Sequence, residues 1–323
     1  MPLLIILLQT LTLAIAGPVT SSEYLPLRVA DAEGLFTQHG LEVTIRTTRA
    51  EPGAAEALVQ GQADLVATSL DAMLRFGPRS VNQGARIVFG LTAAPAVALL
   101  VPTSQAALVR SVSDLSGTKI GITSPGAPEQ AWLGWILSRA GLTLAQPSVM
   151  SYGTRGLVGA VEGGDIHAGL VPEPFASRLL ADGRASVLVD LRTPAGVGQA
   201  VGVTTVNAAV FARADRRPRD ATLTAFARAV IEAESRIATA SAEELASKLP
   251  KRVTTPLEEF TARLETTKQM YLLDGLMTAD QLRESIALSR THQPLPATAR
   301  IPPPEELMHV EPLRRAITAP AAR

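Results

Sequence analysis

The residues best placed to do chemistry in this sequence are hydroxyls and small turn residues gathered in four short loops. Thr20, Ser21, Ser22 and Tyr24 lie in the first, Thr68 and Ser69 in the second, and Ser124, Pro125, Gly126 and Ala127 in the third. Glu173 stands between two prolines in the fourth. Each loop follows a stretch that reads as a strand, and Pro128, Glu129 and Gln130 suit the first turn of a helix. Such a turn leaves backbone N–H groups and the positive end of a helix dipole open to a ligand. The chemistry implied is binding. Donors with little fixed positive charge suit an anionic or polar organic group. Ser and Thr also cap helices when no ligand is present, so the convergence of several loops carries the reading. Trp132, one turn into its helix, and Gly153 complete the set, whereas Trp135 and Arg155 read as a packing residue and a solvated one. Glu173 is open to three readings: an exposed loop charge, a receiver for a ligand ammonium or hydroxyl, or an acceptor of backbone N–H groups across a cleft.

Catalytic patterns are missing from the sequence. It has no nucleophile elbow, no phosphate loop of the G-x-x-x-x-G-K-[ST] type and no H-E-x-x-H. It has no cysteine, which excludes disulfides, thiolate metal sites and cysteine nucleophiles. The four histidines (His39, His167, His292, His309) have no metal-ligand spacing, and no cofactor is called for. Lys and Arg total 30 against 30 Asp and Glu, so no long-range field attracts nucleic acid or an anionic membrane.

The elements that must position these loops alternate between strand and helix, which implies an α/β fold with mainly parallel sheets. Residues 11–16, 41–46, 63–67, 86–91, 96–101 and 119–123 read as strands. The pattern then restarts. Strand 11–16 is echoed by 119–123, turn 18–22 by 124–128, helix end 39–41 by 140–142, and run 58–67 by 161–171, all offset by about a hundred residues. This predicts two similar lobes, with residues 10–100 plus 205–323 in the first and 101–204 in the second. Segments 99–104 and 199–211 would cross between them as a two-strand hinge. Residues 220–239, 242–248, 256–271 and 278–289 read as helices packed back on the first lobe. The proline-rich end after Gln293 reads as a loosely attached arm with one short helix at 305–316. Residues 1–9 are an apolar run without a basic leader, read as a signal remnant or an extension.

Several of these segments resemble one family. LPLRVADAEGLF at 25–36, GLEV at 40–43, GQAD at 61–64, LSGTKIG at 115–121 and EPF at 173–175 are similar, in that order, to nitrate/sulfonate/taurine-type substrate-binding proteins of ABC importers. The resemblance implies a type II periplasmic-binding-protein fold and hinge closure on a small solute. It implies a monomer outside the cytoplasm that delivers its solute to permease subunits driven by a separate ATPase. Thr20, Ser21, Thr68, Ser69, Ser124, Gly126 and Glu173 carry over as ligand contacts. His167 departs from the family's usual Asp, and the export signal is incomplete. A cytosolic enzyme on the same fold, such as a dehydratase acting on a carboxylated metabolite, is the alternative. A ligand-sensing domain is a third, although no helix-turn-helix pattern accompanies it. The thiamin-precursor synthases of the superfold use cysteine motifs that this chain lacks.

Overall fold

The computed structural model describes residues 8–124, 128–291, 295–297, 299 and 301–318. The chain builds two mixed five-stranded sheets flanked by helices. The first sheet takes strands β1 (Gln9–Ile15), β2 (Leu41–Thr47), β3 (Leu65–Ser69), β4 (Ala85–Thr92) and β10 (Ala208–Arg213), in the order β2-β1-β3-β10-β4. The second takes β5 (Val97–Pro102), β6 (Lys119–Ile122), β7 (Ser148–Ser151), β8 (Ala168–Pro172) and β9 (Ala185–Asp190), in the order β7-β6-β8-β5-β9. Strands β3, β5 and β10 are buried throughout, so their sequences (LVATS, VALLVP, AAVFAR) run nearly unbroken in small and apolar residues. The outer strands β2 and β7 expose most of their side chains and carry the polar ones.

The two sheets share one wiring. In each, three strands are mutually parallel (β2-β1-β3 and β7-β6-β8), and the fourth is antiparallel to both its neighbours. That antiparallel strand is in both cases the first one made after the chain has crossed from the other sheet. The repeated segments of the sequence therefore stand at matching places: β1 with β6, and β3 with β8.

The structure departs from the sequence expectations in three places. Residues 97–100 belong to the second sheet, because β5 pairs with β8 and β9. The outward crossing is thus the segment 93–96 between β4 and β5, and the return crossing lies between the helix Pro194–Val201 and β10. Second, the late helices do not serve the first lobe alone. Leu257–Thr267 packs on Phe175–Ala181 and Ala279–Thr291 on Pro128–Arg139, both of the second lobe. Third, the final segment is anchored. Leu307 and Leu313 are buried, the His309 amide donates to the Ile87 carbonyl at 2.8 Å, and Met308 forms a bridge with Ile87. This covers the edge strand β4, whose free backbone groups would otherwise invite pairing with another chain. No helix among the described residues is long and apolar enough to cross a membrane.

Candidate functional site

Ligands of open α/β sheets sit beyond the carboxyl ends of the parallel strands. Here those ends are Ile15, Ser69, Ile122 and Pro172; three of the loops singled out in the sequence follow them, whereas Thr68 and Ser69, expected in a turn, are the last residues of β3 itself.

In the first lobe the loops close on a side chain that sequence reasoning did not select. Glu51 opens the helix Glu51–Val59 and turns its carboxylate inward. Tyr24 donates its hydroxyl to it at 2.7 Å, Thr68 donates at 2.6 Å, and the Ser69 amide donates at 2.6 Å. Burial raises the Glu51 carboxyl, the three donors pull it back down, and Glu23 pushes it up again. No cation is among the groups that shift it. Burial, Glu51 and Glu23 together drive the Tyr24 phenol well above its ordinary value, so it stays a donor. Nothing local in the sequence sets Glu51 apart. Only the tertiary approach of Tyr24 and Thr68 distinguishes it.

The other first-lobe candidates are engaged as well. Ser21 donates to Glu23 at 2.6 Å, and Glu23 accepts the Ala96 amide of the outward crossing at 3.1 Å. The Thr20 carbonyl accepts from Arg263, and the Ser22 carbonyl accepts the Tyr271 hydroxyl at 2.9 Å. The Ser22 hydroxyl is buried without a partner among the described residues. Ser69 Oγ caps the helix Leu70–Phe76 by accepting from the Ala72 amide at 3.2 Å.

In the second lobe Thr123 donates to Glu129 at 3.0 Å, while its carbonyl accepts the Gly153 amide at 2.8 Å. Burial raises the Glu129 carboxyl, and Glu23 and Asp71 push it further. Gly153 adopts φ +67°, which suits a residue without a Cβ at the start of the helix Gly153–Gly163. Ser124 is exposed, and Pro125, Gly126 and Ala127 lie outside the described residues. Trp135 donates to the Val201 carbonyl at 3.1 Å, as befits a packing residue.

Of the readings open for Glu173, the exposed one is excluded, since its side chain is fully buried. It accepts from Arg192 at 2.9 Å and from the Ser177 hydroxyl at 2.8 Å. Its amide donates to the Ala96 carbonyl, so the same crossing residue is tied to Glu23 on one side and Glu173 on the other. Glu173 therefore fixes the junction between lobes.

Between the lobes lies a small recess. Leu70 and Asp71 line it from the first lobe, Pro128 and Trp132 from the second, Asn207 from the return crossing and Ser289 from the helix Ala279–Thr291. Among the described residues, Trp132 is thus the one sequence candidate that lines this space. Among the described residues, no group of three His, Asp or Glu side chains is placed to hold a metal ion.

Comparison with known proteins decides the affiliation, because residues 11–250 match the NMT1-like family over most of the chain. The chain belongs to the NMT1-like family. No curated protein sequence matches it. Among solved structures, a Bordetella bronchiseptica RB50 protein is 25% identical, with a TM-score of 0.76 over 95% of this chain and 96% of the other. The alkanesulfonate-binding protein SsuA of Xanthomonas axonopodis pv. citri, bound to MOPS, is 19% identical at a TM-score of 0.66, covering 93% and 98%. The periplasmic nitrate-binding protein NrtA of Synechocystis PCC 6803 is 17% identical at 0.69, covering 96% and 88%. This NMT1-like chain thus has the periplasmic-binding-protein fold that the resemblance of its segments implies.

Proposed function

We propose that this NMT1-like chain is the substrate-binding component of an ABC importer, taking a small polar organic solute between its lobes and presenting it to permease subunits. The observation that carries the reading is the recess itself. Two look-alike lobes, joined by two short crossings, bring the starts of the helices Leu70–Phe76 and Pro128–Arg139 to one space. Two-segment hinges of this kind let lobes close on a ligand and reopen. In this reading the protein works outside the cytoplasm, as a monomer, and returns its solute unchanged.

Of the ligand classes considered from the sequence, a polar organic solute is better supported than a simple anion such as nitrate or a sulfonate. The donors that would hold an anion in the first lobe already hold Glu51, and Thr123 holds Glu129. A free anion would have to displace these buried carboxylates or sit beside them. Thermal-shift screening of the full chain against small solutes, followed by mass analysis of whatever stabilises it, tests the reading. Recovery of the compound intact is the expected result. Conversion to a product would instead favour an enzyme on this fold.

A further inference from the structure

We propose that the interlobe recess takes a protonated amine carrying at least one N–H, which donates to Asp71 and lies against Trp132. This deepens the importer reading and rests on it. Asp71 is only 8% exposed and lies in the first turn of the helix Leu70–Phe76. Its Oδ2 accepts from Arg75 at 2.8 Å, whereas its Oδ1 is buried with no hydrogen-bond partner among the described residues. An unmade bond on a buried carboxylate oxygen is costly and requires explanation. Asp71 lines the recess, so a ligand there can reach it.

The surroundings select the sign of that ligand. Glu129 lies in the first turn of the helix Pro128–Arg139, next to Pro128 and on the helix that also supplies Trp132. Glu23 and Asp71 both raise its carboxyl, so the three acids share one field, and Glu23 also acts on Glu51. Arg75 is engaged by Asp71 Oδ2 and the Ser289 carbonyl. An incoming anion meets like charge from both lobes, while a cation meets opposite charge and an aromatic wall, where it gains a further contact. Leu70, Pro128, Val206 and Leu288 give the recess apolar wall for a short hydrocarbon body, and Asn207, Ser285 and Ser289 line the rest. Because Oδ1 lacks a hydrogen rather than merely a charge, an N–H cation fits better than a quaternary one.

Isothermal titration of the full chain at neutral pH distinguishes these classes with n-butylammonium, agmatine, choline, 1-butanol, butyrate, ethanesulfonate and nitrate. The N–H cations are expected to bind, choline at least tenfold more weakly, and the neutral and anionic compounds not at all. Asp71→Asn should lower amine affinity at least tenfold, with its circular dichroism spectrum and apparent melting temperature reported alongside. Should that variant fail to fold, the ranking of probes on the unmodified chain decides alone. Binding of the anions or 1-butanol in preference to the amines overturns the proposal and leaves the importer reading standing. Amine affinity unchanged in a folded Asp71→Asn also overturns it. Absence of binding by every probe also overturns the proposal, and the thermal-shift screen then decides the importer reading separately.

Discussion

Glu51 and Glu173, one in each lobe at the carboxyl end of its sheet, are held in opposite ways. Glu173 in the second lobe has a cation: Arg192 reaches it at 2.9 Å while also clasping Asp190 at 2.7 Å. Glu51 in the first lobe has none and is held by a phenol, a hydroxyl and a backbone amide. The first arrangement locks charge into the scaffold. The second holds a carboxylate with hydrogen-bond donors alone, close to a further acid, Glu23. Matching topology has thus been given different chemistry, an ion-paired pin beside the crossing and an uncompensated carboxyl in the first lobe.

Removing the cation from the pin should have the largest effect. Arg192→Ala leaves the Glu173 carboxylate buried with only Ser177 for a partner, at a cost of about 3–5 kcal/mol in urea unfolding. Glu173→Ala should cost less, because Arg192 keeps Asp190. Although burial works against both, their mutual hydrogen bonds hold Asp190 below and Arg192 above their ordinary values. Equal losses from the two variants would mean that Asp190 contributes nothing to holding the arginine.

Next in size is Glu51→Gln. A carboxamide cannot accept all three donors, and its own N–H₂ faces donors, so about 1–3 kcal/mol should be lost. Tyr24→Phe, which removes one donor of the three, should cost about 1 kcal/mol and raise the Glu51 carboxyl further. A Glu51→Gln protein as stable as the parent would show that the carboxylate is already protonated and acting as a donor itself.

The contrast between these glutamates also shows what was legible beforehand. Strands β1, β3 and β6 and the helices Asp220–Thr239 and Ala242–Lys248 stand close to their expected bounds, because unbroken apolar runs and helical spacing are local signals. The family segments gave the order of the fold. Residues 97–100 went to the wrong lobe because nothing local says which sheet a buried strand joins; pairing with β8 and β9 is long-range. At the site, Tyr24, Thr68 and Ser69 were found by type and place, yet their partner was not. A lone Glu ahead of Pro-Gly carries no mark of burial. Asp71 was passed over for the same reason, since its unmade hydrogen bond exists only once Arg75 and the second lobe enclose it.

A third buried glutamate separates burial from site chemistry. Glu234 lies on the inner face of the helix Asp220–Thr239, 2% exposed, with neither carboxylate oxygen partnered among the described residues. Burial pushes its carboxyl well above the ordinary range; the Asp274 carboxylate adds to the push, and the Asp274 backbone opposes it. The folded state therefore holds this proton more tightly than the unfolded chain, where a glutamate releases it near pH 4.3. The stability tied to that proton is fully present below about pH 4.3 and is lost as the pH climbs through the folded value. Glu51 and Glu129 act in the same sense. Glu234→Gln keeps the shape and removes the titrating proton, so its stability should gain steadily on the parent's as the pH rises from about 4 to 8. Urea titrations at several pH values measure this directly, and parallel stability profiles for parent and variant would assign the pH dependence to the two cleft glutamates instead.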